Sequence, residues 1–428
     1  MPDDHSEVVP LLPIPNRTVK RLSADDSAGS RVKVGHRQAL TATSKPSPHQ
    51  AGLFGLCAHF LQRFIQLDGP ADCHNSDPNS PENMMSPTWS ARARSVALCL
   101  VVIFAAGCSS MSQTRDAEPI KVKVFVAAMF EIGRNTGDRA GEFQHWYERY
   151  WMNATPIEVP GALQPVYCNS DGVCGAVLGM GKVNSSSSMQ AILQSRKFDF
   201  SRTYYVISGV AGTPPSRGTI GEVSWATWLV DYDLGHRWAP EENKPGEPTF
   251  MPRKGYEEYR RFKLNPELVA WAMRLSADTP LKDSDSARAY RQRYAQAAAR
   301  RAPFVGTGTH MTGDTFFHGP GMSNQAQYIA KLYGADDYVI TEMEAAAVTL
   351  VIKRSHGTDR VMSLRGAVNF DQGNPRETTL QHLDPAPGET AGGFSETVEN
   401  IELVGSRVVD HIVANWPQWQ DGVPALPR

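Results

Sequence analysis

The stretch DYVITEMEAAAVTLVIK, residues 337–353, reads as a strand running straight into an alanine-rich helix. At the junction two glutamates, Glu342 and Glu344, flank Met343. Burying an unpaired charge costs several kcal/mol, roughly, so carboxylates at the edge of an apolar run are normally paired or used. Two residues apart, they share a face only if the chain is extended; on a helix they would point about 200° apart. The plainer alternative is a pair of solvated acids at a helix start, where the helix dipole favours them.

The same strand-then-helix grammar recurs on both sides. IKVKVFVAAMF (120–130) reads as a buried strand, with Val122, Val124 and Val126 on one face and Phe125 and Ala127 on the other. EFQHWYERYW (142–151) reads as a helix, and VYCNSDGVCGAVLGMG (166–181) as a hairpin ending in a glycine loop. KVNSSSSMQAILQS (182–195) is a helix turning Met189 and Ile192 inward. TYYVISGVAGT (203–213) is a strand with a glycine turn at its end, TIGEVSWATWLV (219–230) has strand composition, and 235–254 reads as loop. Asn265 should cap a helix with Pro266 in its first turn, and SARAYRQRYAQAAARR (286–301) should form another. FVGTGTHMTGD (304–314) and RVMSLRGAVNFDQG (360–373) are strands with polar ends. The last helix carries Ile401, Val404, Val408 and Ile412, with Ser395 or Thr397 as its cap. Alternation of this kind predicts an α/β protein: three layers, α/β/α, around a mostly parallel, mixed central sheet. Ligands in such sheets sit beyond the carboxyl ends of strands. The polar clusters fall there: after Phe125, Ile207 and Thr309, at Glu342, and at Asn369.

The 428 residues carry a formal net charge of -2 and no long Lys/Arg run, which gives no electrostatic reason to expect nucleic acid as a partner. One apolar stretch, SVALCLVVIFAAGC (95–108), is shorter than the roughly 20 residues of a membrane span. Arg92 and Arg94 precede it and Ala105, Ala106 and Gly107 close it, the order of an export signal. With a cysteine directly after Gly107 it resembles a bacterial lipoprotein signal, Cys108 becoming the lipid-bearing first residue, although Ala105 stands where leucine is usual. The expected organisation is therefore a disordered or over-long extension (1–83), a signal (84–107), a tether (108–118) and one folded domain (119–428), exported and lipid-anchored to a membrane facing the periplasm. Cys168 and Cys174 flank NSDGV and could face each other across the hairpin, as a disulfide or as two free thiols. His145, His310 and His318 lack ligand spacing, so no metal and no cofactor is expected.

In order, GMGKVNSSSSMQAIL, VISGVAGT, MTGDTFFHG, TEMEAAA and LRGAVNFD resemble the motifs of the nucleoside phosphorylase and nucleosidase superfamily. Within it VFVAAMFEIG, TGDRAGEFQHW and the final NFDQ look most like the purine nucleoside permease family. The resemblance implies a nucleoside phosphorylase-like fold, a purine nucleoside as ligand, and a homo-oligomer. It also implies cleavage of an N-glycosidic bond, whose transition state places positive charge on the ribose.

Carried over residue by residue, Glu344 would bind the ribose hydroxyls, with Met343 packed on the sugar and Glu342 beside it. Asn369 matches the purine-binding position, and Asp371 could protonate the leaving base if burial raises its pKa. Phe316 and Phe317 match the base-stacking position; Asp314, Gly209, Ala211 and Gly212 complete the binding loops. Ile207 stands where the phosphorylases hold a phosphate-binding arginine, and Val210 where serine is frequent. That favours water over phosphate as nucleophile, although Arg134 leaves phosphate open. Of two glutamates placed to orient water, Glu131 and Glu142, the second is preferred. The competing expectation is a non-catalytic, lipid-anchored nucleoside-binding component of purine nucleoside uptake.

Overall fold

The computed structural model describes residues 118–385 and 391–427. The expected extension, signal sequence, lipid-bearing Cys108 and most of the tether lie outside the described residues. A nine-stranded mixed sheet organises the rest. Its strands are β1 (Val124–Ala128), β2 (Tyr167–Cys168), β3 (Val173–Val177), β4 (Tyr204–Thr213), β5 (Val223–Asp231), β6 (Arg261–Lys263), β7 (Val305–Thr312), β8 (Tyr338–Glu342) and β9 (Val361–Phe370).

Parallel pairing joins β3 to β1, β1 to β4, β4 to β9, β5 to β7 and β7 to β8. Antiparallel pairing joins β2 to β3, β6 to β5, β9 to β5, and β8 to β4 through Thr341 and Gly212. The sheet therefore closes on itself through β4, β9, β5, β7 and β8, and it leaves β1 to β3 as an open wing. Closure removes the exposed edges an open sheet would present there.

Both faces are covered. Phe125 and Ala127 of β1 pack with Met189 and Ile192 of the Lys182–Gln194 helix and with Val348 and Ile352 of the Ala345–His356 helix. Val124 and Val126 pack the other way, against Trp146, Leu268 and the Phe394–Ala414 helix, whose Ile401, Val404, Val408 and Ile412 are all buried. Val122 precedes the strand and joins the Phe125 side, not the Val124 side.

Several local expectations shift. The glycines of VISGVAGT lie inside β4, which continues to Thr213 without a turn. The Pro/Gly-rich 235–254 region contains a short antiparallel pair, Gly235–Arg237 with Phe250–Pro252. The helix expected over 286–301 is confined to Asp285–Arg291. Neither Ser395 nor Thr397 caps the last helix: Gly393, in the left-handed region, precedes Phe394, and the Thr397 hydroxyl donates to its carbonyl. Asn265 does cap Pro266–Ser276, accepting from the Glu267 N–H. Cys168 and Cys174 form a disulfide across the β2–β3 hairpin.

Gly405 lets the last helix lie against Trp146: a Cβ there would come within 2.8 Å of the indole Cζ2. Alanine would gain about 1 kcal/mol of helix propensity but overpack the contact by about 1–3 kcal/mol. The clash should win, so Gly405→Ala should lower the urea midpoint of the folded domain; an unchanged or raised midpoint would show that the helix is not seated this way.

Candidate active site

Four charged side chains meet where β8, β9 and β4 approach the Gln144–Tyr150 helix. Arg365, in mid-β9, is 1% exposed, and Glu342, Glu344 and Glu142 are 1%, 2% and 5% exposed. Arg365 Nη2 lies 2.9 Å from Glu342 Oε2 and 3.1 Å from Glu344 Oε2. Its Nη1 donates to the Val210 carbonyl at 3.3 Å.

Local backbone geometry positions each carboxylate. Glu342 ends β8 and folds over the start of the next helix, accepting the N–H groups of Glu344 (2.8 Å) and Ala345 (2.7 Å) and the Thr312 hydroxyl. The chain is not helical between the two glutamates, since Glu344 is the residue before the helix begins. Both acids can therefore meet the same arginine. Glu344 Oε1 accepts the Gly181 N–H at 2.9 Å, tying the glycine loop to the cluster. Glu142 accepts N–H groups from Met129 (2.8 Å), just past the end of β1, and from Val210 (2.7 Å), inside the neighbouring β4.

One guanidinium faces three carboxylates. Burial pushes the Glu142 carboxyl up to about 7, against the pull of Arg365 and with the repulsion of Glu344. Burial also raises Glu344, with Arg365 opposing and Glu342 reinforcing. The cluster thus holds a proton on Glu142 below a pH of about 7 and carries one more negative charge above it.

The cleft over this cluster is lined by Glu142, Glu342, Met343, Glu344 and Arg365, with Phe130, Met180, Ala211, Phe316, Val368 and Asn369 among its other walls. Gly209, paired with Arg365 across β4 and β9, leaves the space beneath: a Cβ would sit 2.5 Å from Arg365 Nη1 and 2.6 Å from Glu142 Oε1. Gly212 does the same for Asn369 and Phe316. The Asn369 amide donates to the Phe370 carbonyl at 2.9 Å.

Other residues singled out from the sequence lie elsewhere. Asp371 is fully buried, accepts the Tyr338 hydroxyl at 2.9 Å, and does not line the cleft; burial raises its carboxyl to about 6. Phe317 turns into the core, stacked on Tyr232 with centroids 4.3 Å apart. Asp314 is exposed and accepts the Lys182 N–H at 2.7 Å, bracing the glycine loop from outside. Glu131 accepts from Phe143 (2.9 Å) and Gln144 (2.6 Å), fixing the loop before their helix. Arg134 points outward beside Asp138, 3.8 Å away.

Arg365 is the residue sequence reasoning overlooked. The available signal was one arginine inside the apolar strand VMSLRGAV, a position that demands a carboxylate partner. Among the described residues, no group of three His, Cys, Asp or Glu side chains is arranged to hold a metal ion.

Arg365→Met would leave Glu342 and Glu344 buried without their cation and should cost about 3–5 kcal/mol in urea unfolding. Arg202→Met, which breaks an ion pair with Asp421 whose side chains are 53% and 76% exposed, should cost less than about 1 kcal/mol. Equal effects would mean that the buried cluster is not the keystone.

Residues 121–424 match the sequence profile described as "Purine nucleoside permease (NUP)". The chain is 28% identical over 325 residues to a probable purine nucleoside permease of Schizosaccharomyces pombe, covering 70% of this chain and 91% of that protein. It is 27% identical over 336 residues to a purine nucleoside permease of Candida albicans, covering 71% and 79%. Among solved structures it is similar to a 5'-methylthioadenosine/S-adenosylhomocysteine nucleosidase from Neisseria meningitidis, with 19% identity, 68% and 99% coverage and a TM-score of 0.42. A futalosine hydrolase of Helicobacter pylori matches with 16% identity, 68% and 99% coverage and a TM-score of 0.43. With a family match that spans residues 121–424, most of its length, the chain belongs to the purine nucleoside permease family.

Proposed function

We propose that this protein binds a purine nucleoside in the Glu344 cleft and hydrolyses its N-glycosidic bond. The observation that carries the reading is the convergence of three buried carboxylates on one arginine in a cleft that Phe316 and Asn369 also line. Glu344 accepts the ribose hydroxyl hydrogens, and Met343 packs against the sugar. Phe316 stacks on the base, and the Asn369 amide hydrogen-bonds it as it departs as the purine anion, which takes its proton from solvent. As the bond breaks, positive charge grows on the ribose next to an acidic cluster already in place and shielded from water, where its field is strong.

Glu142 orients and deprotonates the attacking water. Two backbone donors hold its carboxylate still, and its pKa of about 7 suits a general base at neutral pH. Phosphate is the poorer nucleophile for this site. Arg365 is already engaged by two carboxylates, and Arg134 lies outside the cleft. A surplus of negative charge would also repel an incoming phosphate.

A second reading, a nucleoside-binding component of purine uptake, is favoured by the names of the relatives and by Asn369, which can hold a leaving base but cannot protonate it. No helix among the described residues is long and apolar enough to cross a membrane. In that reading the lipid anchor at Cys108 would keep the domain beside a separate transporter, with nucleoside passing between them.

Inosine, adenosine and guanosine should each be tested for free base, with and without phosphate. Base release independent of phosphate is expected, and Glu142→Gln should lower it about 10²–10⁴-fold. Release only with phosphate would replace hydrolysis by phosphorolysis; nucleoside binding without release would favour the uptake component. Because an acid with a pKa near 7 is inactive as a base while protonated, kcat/KM should climb as pH rises from 6 to 8 and level above it. A flat or falling profile would remove Glu142 from that role.

A further inference from the structure

Behind Val368 and Asn369, which form a shared wall with the Glu344 cleft, lies a larger hollow of about 540 Å³. Arg139, Arg293 and Arg376 line it, and among the described residues Glu377 is the one carboxylate that lines it with them. Arg293 reaches that carboxylate at 3.4 Å. Among the described residues neither Arg139 nor Arg376 forms an ion pair; Arg139 lies over the Phe394 ring, 5.3 Å from its centroid.

The hollow's lining also includes Asn374, 2% exposed, whose Nδ2 has no hydrogen-bond partner among the described residues. The orientation of that amide is set by its other end, since Oδ1 accepts the Arg376 N–H at 2.9 Å. Leaving such a donor unmet costs about 1–3 kcal/mol, so the site favours an acceptor arriving from outside. Guanidinium forks and an amide N–H together are the donors that recognise phosphate or carboxylate.

We propose that this hollow holds an anionic group, phosphate or carboxylate, carried on the same purine nucleoside whose sugar sits at Glu344. The inference rests on the nucleoside reading of the cleft and adds a substrate class to it: purine nucleosides bearing a negatively charged substituent. The shared wall at Asn369 lets one molecule enter both spaces, and the acidic cluster keeps the anion on the arginine side. Free phosphate is the competing source of the same chemistry.

Calorimetric titration of the full chain separates these. Adenosine, adenosine 5'-monophosphate, N6-succinyladenosine and inorganic phosphate would be compared at low salt. At least one tethered anion should bind about tenfold or more tightly than adenosine, the added affinity coming from charge-assisted hydrogen bonds. In the Arg139→Gln/Arg376→Gln double variant that ratio should fall below about threefold, because both exposed arginines supply the donors. The succinyl and 5'-phosphate arms tell which end of the nucleoside carries the group. Adenosine binding with no advantage for either tethered anion overturns the proposal and leaves the nucleoside reading standing. An advantage that survives the double variant overturns it as well, as does tight binding of free phosphate alone. Failure of every purine compound to bind removes the nucleoside reading and this proposal together.

Discussion

Arg365 is the constraint around which the site is arranged. A guanidinium in mid-strand, 1% exposed, can stay charged only if carboxylates come to it. Glu342 and Glu344 do so from the junction of β8 and its helix, and Glu142 approaches from just before the Gln144–Tyr150 helix. Backbone N–H groups of separate segments hold the acids in turn: Ala345 holds Glu342, Gly181 holds Glu344, and Met129 and Val210 hold Glu142. Displacing any one of these segments would strand a charge that burial makes expensive. The cluster therefore couples four separate segments of the chain into one rigid floor.

That floor is also unbalanced by design of its composition: three acids to one base. A structural ion pair would be neutral. Below a pH of about 7 the proton on Glu142 removes one of the two surplus charges, and a cation developing over the cluster would offset the other. The same electrostatics turns away anions at the cluster while the arginines behind Asn369 attract them, so a substrate with a positive centre forming at one end and a negative group at the other would be oriented by the field alone.

Much of the fold could be read locally. The periodicity of Ile401, Val404, Val408 and Ile412, the Asn265 cap and, Val122 apart, the alternation around Phe125 each depend on neighbours in sequence, and the structure places them accordingly. The closure of the sheet could not be read, because the pairings of β9 with both β4 and β5, and of β8 with β4, join residues far apart in the chain. Arg365 escaped notice for the same reason: its partners are set by those pairings. Adjacent residues proved equally hard to separate. Phe316 and Phe317 match the same motif, yet a loop sends one to the cleft and the other to Tyr232. Asn369 and Asp371 divide similarly, one at the cleft and one against Tyr338.

The most direct test of the central claim is a crystal structure with a non-cleavable purine nucleoside analogue bound. The account predicts ribose hydroxyls within hydrogen-bonding distance of the Glu344 carboxylate, the base between Phe316 and Asn369, and Arg365 still bridging Glu342 and Glu344. An analogue bound at another surface, with Glu344 held only by Gly181 and Arg365, would contradict it.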